Sequence, residues 1–282
     1  MKENPSEEER KLREKEKRGT IRNSLFFLLL LAVFVYALFR INLDLTALVR
    51  NLPSTYKLWS AFAKPDWSIL GEGISLLVTT LYMAMMATIL AMPFAIVLSF
   101  LGARNLMRSP IAKLVYTGVR VFASLVRSIQ PIIWAIIFVV WVRTGPFPGV
   151  LALWIHSIAD LTKLYSERLE SIDEGPMEAI AATGANRLQV LIYGVVPQIV
   201  NPYLSFSLYR LDINVRMATI IGIVGGGGIG MRLYSYINKW NFPKAVVMTI
   251  LIIVMVWGID YVSSRLRERI EQGSGEKEVY RI

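Results

Sequence analysis

The sequence predicts an all-α integral membrane protein with about six transmembrane helices and one short cytoplasmic helix between spans four and five. Three observations predict it. Of the 282 residues, 54% are hydrophobic, and the mean hydropathy is +0.48, well above what a soluble chain of this length needs to fill one or two cores. Apolar runs long enough to cross a bilayer recur along the chain. Lys and Arg gather in the N-terminal arm, in the turns near 102–113 and 163–190, and in the C-terminal tail, the asymmetry of cytoplasmic segments.

Residues 1–23 mix Lys, Arg and Glu with little apolar content and read as a charged cytoplasmic arm, solvated or loosely helical. Residues 24–70 hold a first span and an outside loop. Leu25 to Phe39 is almost unbroken Leu, Phe, Val and Ala, and no small-x-small cleavage site follows at Arg40 to Asp44. A retained span is therefore expected rather than a signal peptide. Pro53, Pro65 and the interfacial aromatics Tyr56, Trp59 and Trp67 fit an outside loop.

Residues 71–265 form the membrane core. A second span runs from about Gly73 to Leu101, with Pro93 as a kink, and Gly102 to Pro110 is a basic inside turn. The third apolar segment, about 113–142, would measure roughly 45 Å as one helix. That exceeds the ~30 Å hydrocarbon core, so part of it is expected to tilt or protrude. After the turn Thr144 to Gly149 comes the weakest span, about Val150 to Leu164. Spans near 197–222 and 243–263, separated by Gly225 to Phe242, complete the six. Arg265, Arg267 and Arg269 lead into a cytoplasmic tail, 266–282. An even number of spans places both termini inside, in a multi-pass plasma (inner) membrane protein.

Between spans four and five, Asp173 to Pro197 is polar and short of long apolar runs. Gly175-Pro176 opens a short helix, since Pro at the first positions loses no needed N–H. Met177 to Thr183 continues it with Ala-rich sequence, and Gly184 supplies the stop. Asp173, Glu174 and Glu178 lie at its positive end, where carboxylates are favoured.

Charged residues inside spans face protein or water, because lipid exposure is costly. In the third span Arg120, Ser124, Arg127, Ser128 and Pro131 share one helical face. Arg120 is close enough to the inner interface to snorkel, whereas Arg127 lies about two turns deeper. In the fifth span Asp212 and Arg216 are spaced for an ion pair within one helix. Arg210 and Asn214 show no local acidic partner. Arg127, Ser128, Arg210, Asn214 and Arg216 are therefore translocation-path candidates, with guanidinium forks suited to a small oxyanion.

Other chemistry is excluded or unsupported. The chain has no cysteine, so disulfides, thiolate metal sites and Cys nucleophiles are absent. The net charge of +10 carries no basic stripe with interleaved aromatics, so nucleic acid is not an expected partner. Gly225 to Gly230 lacks the Lys-Ser/Thr ending of a P-loop and reads as a close backbone approach or re-entrant turn. The only histidine, His156, beside Trp154, reads as packing. No acid/base pair, nucleophile elbow or metal cluster appears, so neither a catalytic nor a metal site is expected.

The polar stretch carries a resemblance. Glu178-Ala179, Gly184 six positions later and Pro197 thirteen after that resemble the cytoplasmic loop of ABC-importer permeases. Ile180, Gly194 and Val196 depart from that pattern, which has Ala, Ile and Leu there. From about 113 to 265 the chain resembles the phosphonate-transporter branch of these type I importer transmembrane domains. The matching pieces include Arg127-Ser128-Ile129, Gly145-Pro146-Phe147, Lys163-Leu164-Tyr165, Ala182-Thr183-Gly184-Ala185, Leu208-Tyr209-Arg210, Asn214-Val215-Arg216 and the glycine run. Gln130 before Pro131, and Asp212 where the branch has Glu, are departures.

The resemblance implies a permease subunit of an ATP-driven importer for phosphonate or a related phosphorus oxyanion. It implies a permease pair, homodimeric or with a related chain, two ATP-binding subunits below and an extracytoplasmic substrate-binding protein outside. By it, Glu178, Ala179 and Gly184 belong to a coupling helix that docks on the ATPase. This chain would carry no cofactor and no enzyme activity, with ATP and Mg on the partner. A permease for another small solute such as methionine, an ATP-independent anion channel and, last, a membrane enzyme are the other readings.

Overall fold

The structure is a computed structural model that describes residues 7–41, 46, 50, 52–107 and 109–273. It divides into two compact units, Met1–Trp59 and Ser60–Ile282. In the first, α1 (Glu7–Arg40) makes one helix of the described part of the charged arm and the first apolar run. The expected outside loop contains a second helix, α2 (Leu52–Ala63). A 3-10 turn follows at Trp67–Ile69, capped by Asp66, which accepts from the Ser68 N–H at 3.1 Å. That hydrogen bonding from Ser68 holds the Asp66 carboxyl below the usual range.

Helix α3 (Leu70–Leu101) runs through Pro93 without a break. Its inner stripe is Thr80, Ala84, Ala87, Thr88, Ala91, Ala95 and Ser99, all buried and all small. Such a stripe lets another backbone come close, the usual route to tight packing where lipid competes for apolar surface. The helix it receives is α6 (Pro146–Glu170), whose Leu153, Ala159, Leu161, Tyr165 and Leu169 are fully buried. The segment expected as the weakest span, 150–164, is thus the most enclosed by protein. Its polar residues His156, Ser157 and Thr162 are buried against neighbours.

The long third segment neither tilts nor protrudes as one rod. It is two helices, α4 (Pro110–Ser128) and α5 (Pro131–Val142), meeting at 87°. The cause is local: Pro131 disfavours helical backbone in the residue before it, and Gln130 is extended at φ −64°, ψ 148°. Trp134 Nε1 donates back to the Val126 carbonyl at 3.4 Å and so closes part of the gap.

After α6 come α7 (Gly175–Ala182), α8 (Arg187–Val190), a π-helical turn at Leu191–Val195 and α9 (Val196–Ile221). A second π-helical turn, Gly222–Gly226, leads to α10 (Gly228–Asn238), bent 57° from the segment before it. The sequence left this region as a connection; it contains a helix that starts inside the glycine run. Gly225, Gly227 and Gly228 take φ of 97°, 80° and 70°, a region side chains avoid. The run is also a close approach: the Gly145 N–H donates to the Gly225 carbonyl at 2.9 Å, and Ile229 N–H to Thr80 Oγ1 at 2.9 Å. A Glu72–Arg232 ion pair ties α10 to α3, and α11 (Phe242–Gly273) completes the bundle.

No strand occurs among the described residues. Three helices are long and apolar enough to cross a membrane, spanning Gly19–Arg40, Trp67–Leu101 and Phe242–Ile270, and the two bent segments pass the same test. A Cβ on Gly230 would sit 1.8 Å from the Thr219 carbonyl oxygen, while one on Gly258 would meet nothing within 4 Å. Gly230→Ala is therefore expected to lower the melting temperature of the purified protein sharply. Gly258→Ala is expected to leave it unchanged or raise it, since Gly→Ala within a helix is worth roughly 0.5–1 kcal/mol.

Candidate functional site

Two constellations stand out, one at the exposed loop and one inside the bundle. At the loop, α7 is exposed along its length, and Glu178, Ala179 and Gly184 are all on its open surface. Gly184 has φ +84° directly after the last helical turn, the left-handed stop the sequence predicts. The Asp173 carboxylate accepts the Gly175 N–H at 3.0 Å and sets the start of the helix. A capping box between Asn186 and Gln189 starts α8.

Exposed as it is, this loop is braced. The Gln198 side chain on α9 accepts from the Asp173 N–H at 3.0 Å and donates to the Asp173 carbonyl at 3.1 Å and the Gly194 carbonyl at 2.8 Å. Gly194, one of the departures from the family pattern, lies under Met177; a Cβ there would come within 3.2 Å of the Met177 backbone. Met177 and Leu191 pack on a core formed by Leu161, Tyr165, Leu169, Ile172, Val195, Ile199 and Tyr203. Tyr165 and Tyr203 stack with centroids 3.8 Å apart. Their hydroxyls reach across: Tyr203 donates to the Tyr165 carbonyl at 3.1 Å, and Tyr165 bonds Ser207 Oγ at 2.6 Å. Both helix ends beside the loop are therefore locked to one block.

Inside the bundle, α4, α6 and α9 meet at a charge cluster. Asp160 on α6 accepts from Arg127 Nε on α4 at 2.7 Å through Oδ1, and from Arg210 on α9 through Oδ2. Arg210 is only 3% exposed. Its Nε donates to Ser157 Oγ at 3.0 Å, and its other terminal nitrogen contacts His156 Nδ1 at 2.9 Å. The same His156 Nδ1 lies 3.3 Å from Asp160 Oδ2, so the ring sits between the guanidinium and the carboxylate. Asn214, fully buried, donates to Ser157 Oγ and to Thr88 Oγ1, each at 2.8 Å.

The structure brings Arg127, Arg210 and Asn214 together and leaves Ser128 and Arg216 apart from them. Ser128 is exposed on the polar face of α4, its Oγ on the Leu125 carbonyl at 2.7 Å. With Thr117, Arg120 and Ser124 it borders an open cavity of about 340 Å³. Arg216 is 47% exposed and pairs with Asp212 within its own helix, as its spacing predicts. Arg120 is taken up by Glu170 at 2.7 Å and by the Gly102 carbonyl at 3.0 Å.

Arg210 has no acidic partner on its own helix, as its spacing predicts; the partner it does have, Asp160, lies fifty residues earlier on another helix. One sequence expectation needs correction. His156 is not simple packing; it is a hydrogen-bond partner of Arg210. The signal was present in the low hydropathy of 150–164: His156, Ser157 and Asp160 lie within one turn of each other in a helix that must sit among apolar neighbours. Among the described residues no group of His, Asp and Glu is arranged to hold a metal ion.

Residues 95–274 match the family described as binding-protein-dependent transport system inner membrane component. The phosphite transport system permease protein PtxC of Stutzerimonas stutzeri is 36% identical over 229 residues, 81% of this chain and 82% of that protein. A protein of Escherichia coli strain K12 named for cryptic phosphonate transport, PhnE2, is 48% identical over 119 residues, 42% of this chain and 98% of that protein. Among solved structures, the inward-facing MetNI methionine ABC transporter aligns with TM-score 0.58 at 19% identity, over 72% of this chain and 96% of that chain. At that identity the likeness speaks to the fold alone. The chain belongs to the inner-membrane permease components of binding-protein-dependent ABC importers.

Proposed function

We propose that this chain is the membrane-spanning subunit of an ATP-driven importer for phosphonate or a related phosphorus oxyanion. The observation that carries the mechanism is the braced, exposed α7. It is a short helix with its outer surface free and its base fixed to both α6 and α9 through Gln198, Met177 and the stacked tyrosines. A push on such a helix moves two long helices together instead of bending a loop. Glu178, Ala179 and Gly184 form the docking surface for an ATP-binding subunit, and ATP with Mg is held and hydrolysed there rather than on this chain.

In the proposed arrangement six spans cross the inner membrane: α1, α3, the α4–α5 pair, α6, α9 and α11. Both termini and α7 lie in the cytoplasm. Two such permeases, identical or related, stand over two ATP-binding subunits and receive substrate from an extracytoplasmic binding protein. The substrate class is supported by the phosphite and phosphonate names of the relatives and by the arginines on α4 and α9. Arg127 and Arg210 are retained as path residues, Asn214 as the residue that holds Ser157 under Arg210, and Ser128 as part of the uncovered strip on α4. Arg216 is a more peripheral path candidate, since Asp212 already neutralises it.

Four measurements test this reading. In proteoliposomes containing the whole transporter, Glu178→Ala and Gly184→Val are expected to cut uptake and substrate-stimulated ATP hydrolysis at least about tenfold while insertion is unchanged; a Cβ at positive φ alone costs about 1–2 kcal/mol. Uptake of labelled alkylphosphonate should be competed by phosphite or phosphate and not by methionine; competition by methionine alone would move the substrate assignment. Gln198→Leu removes three hydrogen bonds of about 1 kcal/mol each. Faster amide exchange at Asp173 and Gly175 is expected, with ATP hydrolysis that no longer tracks substrate. Conductance by the purified chain alone would favour a channel and count against an ATP-driven cycle.

A further inference from the structure

Arg127 and Arg210 come from different helices, yet their guanidinium groups are set on the two oxygens of one carboxylate. That is the arrangement in which two forks would hold two oxygens of a tetrahedral oxyanion. We propose that Asp160 is a resident stand-in for the transported anion: its carboxylate fills an oxyanion seat between Arg127 and Arg210, which the phosphorus oxyanion takes during transport. The inference rests on the permease reading above.

Charge supports exchange at this seat. Two guanidinium groups face one carboxylate, so at least one positive charge is left over. Burial makes that surplus attractive to an anion, because opposite charges interact more strongly where water is scarce. The seat is also asymmetric. Arg210 is fixed by Ser157 and His156 at the buried side. Arg127 is 34% exposed and contacts Asp160 through Nε alone, and the Asp160 side chain is 21% exposed. The loose side opens toward the polar face of α4, where Ser124, Arg127, Ser128 and Gln130 are all exposed. That face ends at the 87° break between α4 and α5. A broken helix with uncovered polar groups is tolerated at membrane depth only against protein or water, so an aqueous approach to the seat is available.

Exchange has a mechanical consequence. Asp160 on α6 is what holds α4 to α9 at this level. An arriving oxyanion takes over both arginines and repels the carboxylate, so Asp160 on α6 lets go of Arg127 on α4, while Ser157 and His156 keep α6 on Arg210 of α9. Ligand and carboxylate cannot occupy the seat together, and the anion therefore favours the arrangement in which α4 is unclasped from the α6–α9 pair. Re-entry of Asp160 would expel the anion on the far side. Asp160 acts as a positioning and specificity residue, with no covalent step.

The test uses the permease with its ATP-binding subunits in detergent, without the binding protein, and methylphosphonate and phosphite as probes in equilibrium dialysis. Asp160→Asn leaves the seat without its own anion and is expected to bind either probe at least about tenfold more tightly, while turnover in the complete transporter falls. Asp160→Glu should restore both values toward wild type. Loss of turnover with no tightening, or failure of the glutamate to rescue it, would reduce Asp160 to a structural brace and overturn the proposal. Should Asp160→Asn fail to assemble, Arg127→Gln, at a partly exposed position, is expected to weaken probe binding at least about tenfold; wild-type binding there would overturn it equally. If the wild-type transporter carries no phosphorus oxyanion, the substrate assignment fails first; if it does and both variants bind normally, only the seat fails.

Discussion

A guanidinium cannot give up its proton, so a fully enclosed Arg210 obliges its neighbours to answer it. Asp160 supplies the countercharge, Ser157 an acceptor and His156 a further contact, while Asn214, itself held on Thr88, fixes Ser157 in turn. The chain of consequences reaches α3, α4, α6 and α9. Replacing one member strands another, and stranded charge in a buried place costs several kcal/mol. The polarity of α6 is accordingly a condition of the bundle. A purely apolar α6 would leave Arg210 unanswered.

The same helix connects this cluster to the loop. Moving along α6 from Asp160 toward its C-terminal end, Tyr165 stacks on Tyr203, Leu169 enters the core beneath Met177, and Glu170 ties Arg120 and the Arg104 N–H, the latter at 2.7 Å. Each contact joins α6 to a different neighbour: α9, the loop core, α4 and the turn before α4. Packed interiors shift between discrete arrangements rather than deform smoothly, and α6 is placed to be the element on which those arrangements are defined. The small-residue stripe of α3 provides the flat track against which it lies.

Much of this was legible from residue order, and the losses have identifiable causes. Apolar runs, basic turns and the Gly-Pro start and Gly184 stop of α7 are local signals, and the helices follow them. The Asp212–Arg216 pair is local too. Asp160 with Arg210 is not; periodicity on one helix carries no information about a partner fifty residues away. The break at Gln130 was written in Pro131 but was outweighed by the unbroken hydropathy around it. The helix beginning at Gly228 was hidden because a glycine run suggests a turn, and only the close approaches of Thr80, Gly145 and Thr219 show why glycine is needed there.

The two wide turns that bound α9, Leu191–Val195 and Gly222–Gly226, have a consequence for how the family's chain length can drift. A π turn already houses a surplus residue, so a one-residue insertion or deletion at either place can be absorbed by converting that turn to or from ordinary α geometry. The same change in the middle of α9 would swing Arg210 by about 100°, off Asp160 and into lipid or a neighbouring backbone. The two ends of α9 can therefore take up a change of length, while the stretch from Tyr203 to Asn214 behaves as a fixed ruler.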